Sequence, residues 1–175
     1  PPPIQMRIAP DGEIQFRGPT MFKGYWEDPA ATKAAFTEDG WYMTGDLGKL
    51  DQKGRLFLHG RKRDMIVLPS GFNVFPEDIE IALRDAGVRD SVVIETDPGR
   101  IEAICLAPAT PLGGAAPTEE QARSSIAAAV KQANNVLGPN QRIVGWRLWP
   151  DADFPRTHTP KVKRDPVRAW AKTTP

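Results

Sequence analysis

The sequence is short of the groups that several kinds of function need. Its 175 residues hold one cysteine, Cys105. No internal disulfide can form, and paired-thiol chemistry has nothing to work with. Cys105 lies in the apolar run Ile101–Ala107, where a small buried side chain is the expected role rather than a nucleophile. There are two histidines, His59 and His158. They are too isolated in the chain to form a metal pair, so no metal site is expected here. No apolar run reaches the length of a membrane span. The chain also lacks a dominant charge. Lys and Arg number 23 against 22 Asp and Glu, a net +1, and the two signs are interspersed. A nucleic-acid surface needs clustered positive charge. The opening Pro1-Pro2-Pro3 has neither the charged start nor the apolar stretch of a signal peptide. A cytoplasmic protein is expected.

What is present is enough apolar material for a core, 40% of residues, arranged in two textures. The chain opens mid-pattern, prolines running straight into Ile4–Ile8, which suggests a piece of a longer protein. Ile4–Ile8 and Glu13–Arg17 alternate around Pro10-Asp11-Gly12, a hairpin signal. Asp28-Pro29 starts a short helix through Phe36, with Asp as cap and Pro in the first turn. Asp46–Leu50 and Arg55–His59 form a second hairpin around Asp51–Gly54. The charged bridge Arg61-Lys62-Arg63-Asp64 then marks a change. A domain boundary is expected there, giving a β-rich segment 1–61 and an α+β unit 62–175.

In the second part Met65–Leu68 reads as a strand and Pro69-Ser70-Gly71 as a turn. Pro76-Glu77-Asp78 opens a helix with acids in its first turn, which the helix dipole favours. Its apolar face is Ile79, Ala82, Leu83 and Ala86, and Gly87 ends it. Ser91–Glu95 and Arg100–Ala107 are strands. Thr118 with Gln121 is a capping-box start for a helix that stops at Gly138-Pro139. Arg142–Trp149 is a strand, and Asp165-Pro166 starts a last helix.

Several polar clusters could carry chemistry. In Thr44-Gly45-Asp46 a glycine lets a ligand approach the backbone while the carboxylate accepts two hydroxyl hydrogen bonds; a simple turn is the plainer reading. Arg61 offers a planar fork for phosphate or ribose oxygens, or belongs to a solvated charge run. Gly71, between Ser70 and Phe72, either admits a thin ligand or merely shapes a turn. Lys161 and Lys163 follow Pro160 on a loop, where a lysine can neutralise charge on a phosphoryl group in transfer; a surface lysine is the ordinary alternative.

Taken in order, these segments are recognisable. Gly18–Trp26, Gly40–Asp46, Gly60–Ile66, Ser70–Glu80 and Pro155–Arg164 together resemble the C-terminal third of the AMP-forming adenylating enzymes, which include acyl-CoA synthetases, peptide-synthetase adenylation domains and beetle luciferases. The resemblance implies a small C-terminal lid with a short sheet flanked by helices, preceded by a β-rich piece of a large N-terminal domain. It implies a two-step reaction: a carboxylic acid, here a fatty acid, is joined to AMP from ATP, then passed to coenzyme A. By the same resemblance Asp46 binds the ribose hydroxyls and Arg61 also contacts the nucleotide. Arg63 lies at the hinge. Ser70, Gly71 and Phe72 line the pantetheine tunnel. Lys161, not Lys163, supports adenylation. Magnesium ligands, the phosphate loop and the acyl pocket belong to the N-terminal domain, the lid's partner, so residues 1–175 alone are expected to be inactive. Two departures stand out. Pro160 replaces the glycine usual before the lysine, and the turn at Leu68–Gly71 is one residue longer than in many relatives. A carrier-protein thiol as acceptor, or a lid that kept its fold without chemistry, are the alternatives.

Overall fold

The computed structural model describes residues 3–110 and 112–174. The fold is α+β, as expected, and divides into two compact units, residues 1–65 and 66–175. The division falls after Met65 rather than after Arg61. Lys62 explains the difference: its ammonium bonds Asp11 at 2.6 Å and Glu13 at 3.3 Å. The Met65 amide donates back to the Arg61 carbonyl at 3.1 Å. The charged bridge is therefore tied into the first unit.

The first unit is a four-stranded antiparallel sheet in sequential order: β1 (Gln5–Ile8), β2 (Glu13–Arg17), β3 (Tyr42–Leu50) and β4 (Leu56–Arg61). The expected hairpin at Pro10–Gly12 forms, with Gly12 in the left-handed region that such turns ask of glycine. Helix α1 (Pro29–Ala35) follows β2, and the Asp28 carboxylate caps it at the Ala31 amide, 2.8 Å away. Strand β3 begins at Tyr42, four residues before the sequence pattern suggested, because Tyr42 and Met43 pair with Phe16 and Gln15 of β2. The half-buried Gly45-Asp46 has little strand propensity of its own; neighbours supply the ladder.

The second unit is built on a three-stranded sheet of β7 (Ser91–Asp97), β8 (Arg100–Cys105) and β9 (Gly145–Leu148). Strands β7 and β8 are antiparallel, whereas β8 and β9 are parallel. That parallel pairing requires a long crossover, which helix α3 (Glu119–Val136) provides. Both faces are covered, so β7 and β8 read as near-continuous apolar runs. On one face Val93, Ile101, Ala103 and Cys105 pack with Ile79 and Leu83 of α2 (Pro76–Asp85) and with Ile126 and Ala133 of α3. On the other, Val92, Ile94 and Ile104 pack with Trp149, Phe154 and Val167 of α4 (Arg164–Thr173). Each such fully buried aliphatic side chain contributes about 1.5–3 kcal/mol. Thr118 and Gln121 make the reciprocal capping box at the head of α3. A short pair, β5 (Ile66–Val67) with β6 (Asn73–Val74), carries the turn 68–72; β6 had no separate signal in the sequence.

Candidate functional site

The residues singled out from the sequence fall on both units. In the first unit the register places Asp46 on β3 directly opposite Arg61 on β4. Their side chains meet, Arg61 Nε to Asp46 Oδ1 at 2.9 Å, and both remain nearly half exposed. Arg61 Nη1 also donates to the Thr44 carbonyl at 3.3 Å. The pair is thus a preformed carboxylate and guanidinium at a sheet edge, open to solvent.

The backbone under this pair is fixed by a group the sequence reading passed over. Glu13 is buried, and its Oε1 accepts the Gly45 amide at 2.9 Å while Oε2 faces Lys62 Nζ. Gly45 has φ +72°, a conformation that glycine alone adopts cheaply. The Thr44 hydroxyl donates to the Ile14 carbonyl at 2.7 Å and accepts the Asp46 amide at 3.0 Å. Asp46 therefore projects from a bend that is fixed from several sides. Glu13 gave no sequence signal because a charged residue on an alternating strand normally points to water. Beside the bend, Tyr42 packs edge-on to Phe22, with ring centroids 5.1 Å apart. Burial, more than its tyrosine neighbour, pushes the Tyr42 hydroxyl above its ordinary pKa.

Arg63 sits in the single 3-10 turn Lys62–Asp64. Its side chain is largely exposed, with Nε 3.9 Å from the buried Asp64 carboxylate.

In the second unit Ser70, Gly71 and Phe72 form an exposed turn between β5 and β6. The Gly71 amide donates to the Leu68 carbonyl at 2.8 Å, and the Leu68 amide to the Phe72 carbonyl at 2.9 Å. Gly71 has φ +80° and open space on the side where a Cβ would stand.

Lys161 lies on the loop 155–163, which closes on itself. Arg156 bridges Val162, the Thr157 amide donates to the Lys161 carbonyl at 2.8 Å, and the Lys163 amide donates to the Pro155 carbonyl at 2.8 Å. The Thr157 hydroxyl accepts the Lys161 amide at 3.2 Å. The backbone of Lys161 is held twice, while its exposed ammonium has no side-chain partner among the described residues. Arg164 forks onto Glu80 at 2.7 and 2.6 Å. Burial raises the Glu80 carboxyl above its usual pKa, against the opposing pull of Arg164. Cys105 is fully buried in the core, and burial pushes its thiol up to about 12. Among the described residues no group of three acidic, histidine or cysteine side chains could hold a metal ion. No helix among them is long and apolar enough to cross a membrane.

No family model matches the chain. It is similar over 95% of its length to the long-chain-fatty-acid–CoA ligase FadD15 of Mycobacterium tuberculosis, at 38% identity, and covers 31% of that protein. Among solved structures it is similar to the ATP-bound RpMatB-BxBclM chimera B1, with a TM-score of 0.70 and 32% identity, covering 93% of this chain and 31% of that one. It is also similar to the amide bond synthetase McbA of Marinactinospora thermotolerans, with a TM-score of 0.71 and 27% identity over 97% of this chain and 35% of that one. The chain spans about a third of the length of these relatives. It belongs to the AMP-forming adenylating superfamily and corresponds to the C-terminal portion.

Proposed function

We propose that this chain is the C-terminal part of an acyl-CoA synthetase, in which it completes the active site built on a larger N-terminal domain. A carboxylate attacks the α-phosphorus of ATP and pyrophosphate leaves; the thiol of coenzyme A then attacks the acyl carbon of the adenylate, AMP leaves, and the thioester is formed. Asp46 accepts the two ribose hydroxyls, and Arg61, already aligned beside it, reaches the nucleotide through its remaining donors. Lys161 brings a cation to the carboxylate and phosphate oxygens as negative charge develops between them. Gly71, flanked by Ser70 and Phe72, gives the pantetheine arm a path past the backbone. Arg63 lies next to the point where the two units divide, which suits a hinge. A fatty acid is the proposed acyl donor, from the likeness to FadD15. The protein acts in the cytoplasm on this reading, where a lone reduced Cys105 is at home.

The observation that carries the reading is Lys161. Its backbone is pinned in a closed loop while its ammonium has no side-chain partner among the described residues, as a group kept for a ligand would be. The test uses the full-length protein with a fatty acid chosen from an octanoate-to-hexadecanoate series. Lys161→Ala should slow ATP–pyrophosphate exchange by about 100- to 1,000-fold, the scale for removing one preorganised donor from a charged transition state. Thioester formation from preformed acyl-adenylate and coenzyme A should be spared. Unchanged exchange would make this unit a non-catalytic lid, and transfer only to a carrier-protein thiol would replace the acceptor.

A further inference from the structure

One guanidinium reaches the residue immediately before Lys161. Arg156 Nη1 donates to the Pro160 carbonyl at 3.1 Å. The same side chain is forked onto Asp153, with Nε at 2.9 Å and Nη2 at 2.7 Å. Its Nη2 also bonds Asp90 Oδ2 at 2.7 Å. Asp90 is anchored in turn, its Oδ1 accepting the Ser91 amide at the start of β7. One planar group therefore joins three places: the lysine loop, the bend 151–154 and the edge of the central sheet. The remaining geometry leads the same way. Phe154, next to Asp153, is buried in the apolar cluster under α4, so the bend is fixed to the core. Hydrogen bonding from Arg156 holds the Asp153 carboxyl down to about 2, so this anchor stays charged through the working pH range.

Four of the five N–H donors of Arg156 are engaged inside its own unit. Nε, Nη1 and Nη2 all have acceptors, two of them carboxylates. A cation so engaged is poorly placed to bind substrate and well placed to set a backbone. The contrast with Arg164 is instructive. Arg164 also pairs with carboxylates, Glu80 and, at 3.6 Å, Glu77. Both belong to α2, so Arg164 ties α4 to α2. Pro160 adds to the argument. Proline has no amide hydrogen, so its carbonyl is its only backbone hydrogen-bonding group, and Arg156 occupies that carbonyl.

We infer that Arg156 is a positioning residue for Lys161: through the Pro160 carbonyl it fixes where the lysine backbone stands, and hence where its ammonium is delivered during adenylation. This rests on the role given to Lys161 above. A lysine in place of Arg156 meets Asp153 but cannot span Asp90, Asp153 and the carbonyl together, because it offers a point charge rather than a fork.

The test compares Arg156→Gln, Arg156→Lys and Lys161→Ala in the full-length protein, with thermal unfolding recorded for each. For Arg156→Gln, kcat for ATP–pyrophosphate exchange should fall about 10- to 100-fold, the cost of a misplaced catalytic group. The KM for ATP, and thioester formation from preformed adenylate, should not change. Arg156→Lys should recover only part of the loss. A readout free of substrate is trypsin: cleavage after Lys161 should be faster in folded Arg156→Gln than in the wild type. Equal cleavage rates, or equal losses in both half-reactions, would overturn the inference. So would normal exchange in Arg156→Gln alongside slow exchange in Lys161→Ala. If Lys161→Ala itself exchanges normally, it is the reading of Lys161 that fails first.

Discussion

Asp46 with Arg61 and Lys161 with its loop are held by opposite means. The first pair stands on adjacent strands, fixed by ladder register and by the buried Glu13 beneath Gly45. Each side chain already has the other as partner. Lys161 stands on a loop outside the sheet, with a pinned backbone and an ammonium that has no side-chain partner among the described residues. A group that binds the same ligand atoms throughout a reaction benefits from being built into a ladder. A group needed in one step only benefits from a mount that can be brought up and withdrawn. The difference suggests that the strand pair governs affinity for the nucleotide and the loop governs rate.

That division of labour can be broken by measurement. Asp46→Ala in the full-length protein should weaken ATP binding about tenfold or more, because hydrogen bonds to a charged group are worth about 1.5–3 kcal/mol. Isothermal titration should show this loss and none for Lys161→Ala; equal losses would erase the distinction. A smaller effect is expected at the turn 68–72. Gly71→Ala places a methyl group in open space but forces a left-handed conformation, at a cost of about 1–2 kcal/mol. Urea unfolding should register that cost. Thioester formation should slow while pyrophosphate exchange holds, since the methyl narrows only the pantetheine path. The smallest effect concerns Cys105 in the core of the second unit. An unfolded thiol ionises near its usual value of 9, whereas the folded one is held up to about 12. The native state thus keeps its proton longer, and its stability falls as pH rises through that window. Thiol labelling at pH 8 should proceed only as fast as the second unit opens, and rapid labelling of the folded protein would show that the core is looser than its packing implies.

Much of the site was legible because its chemistry is written in local sequence. Gly45 and Gly71 were marked by turn composition, and both take the positive φ that makes glycine necessary. The Asp28 cap and the Thr118–Gln121 box were visible for the same reason, since each spans a single helical turn. The supports of the site were not legible. Glu13, Asp90 and Asp153 carried no signal of their own in the sequence, and no spacing rule joins Asp90 to Arg156. Glu13 and Asp90 become informative only when segments far apart in sequence are brought to hydrogen-bond distance, and Asp153, three residues from Arg156, only when that guanidinium holds both aspartates at once.

The amino-acid sequence by itself determined most of the elements, the order of the motifs and the family they resemble, because capping, turn chemistry and apolar periodicity act over a few residues. Tertiary structure alone decided the parallel pairing of β8 with β9, the placing of Asp46 across from Arg61, and the tie from Arg156 to the residue before Lys161. Those outcomes depend on which distant surfaces bury one another, and burial is a property of the assembled core rather than of any short stretch of chain.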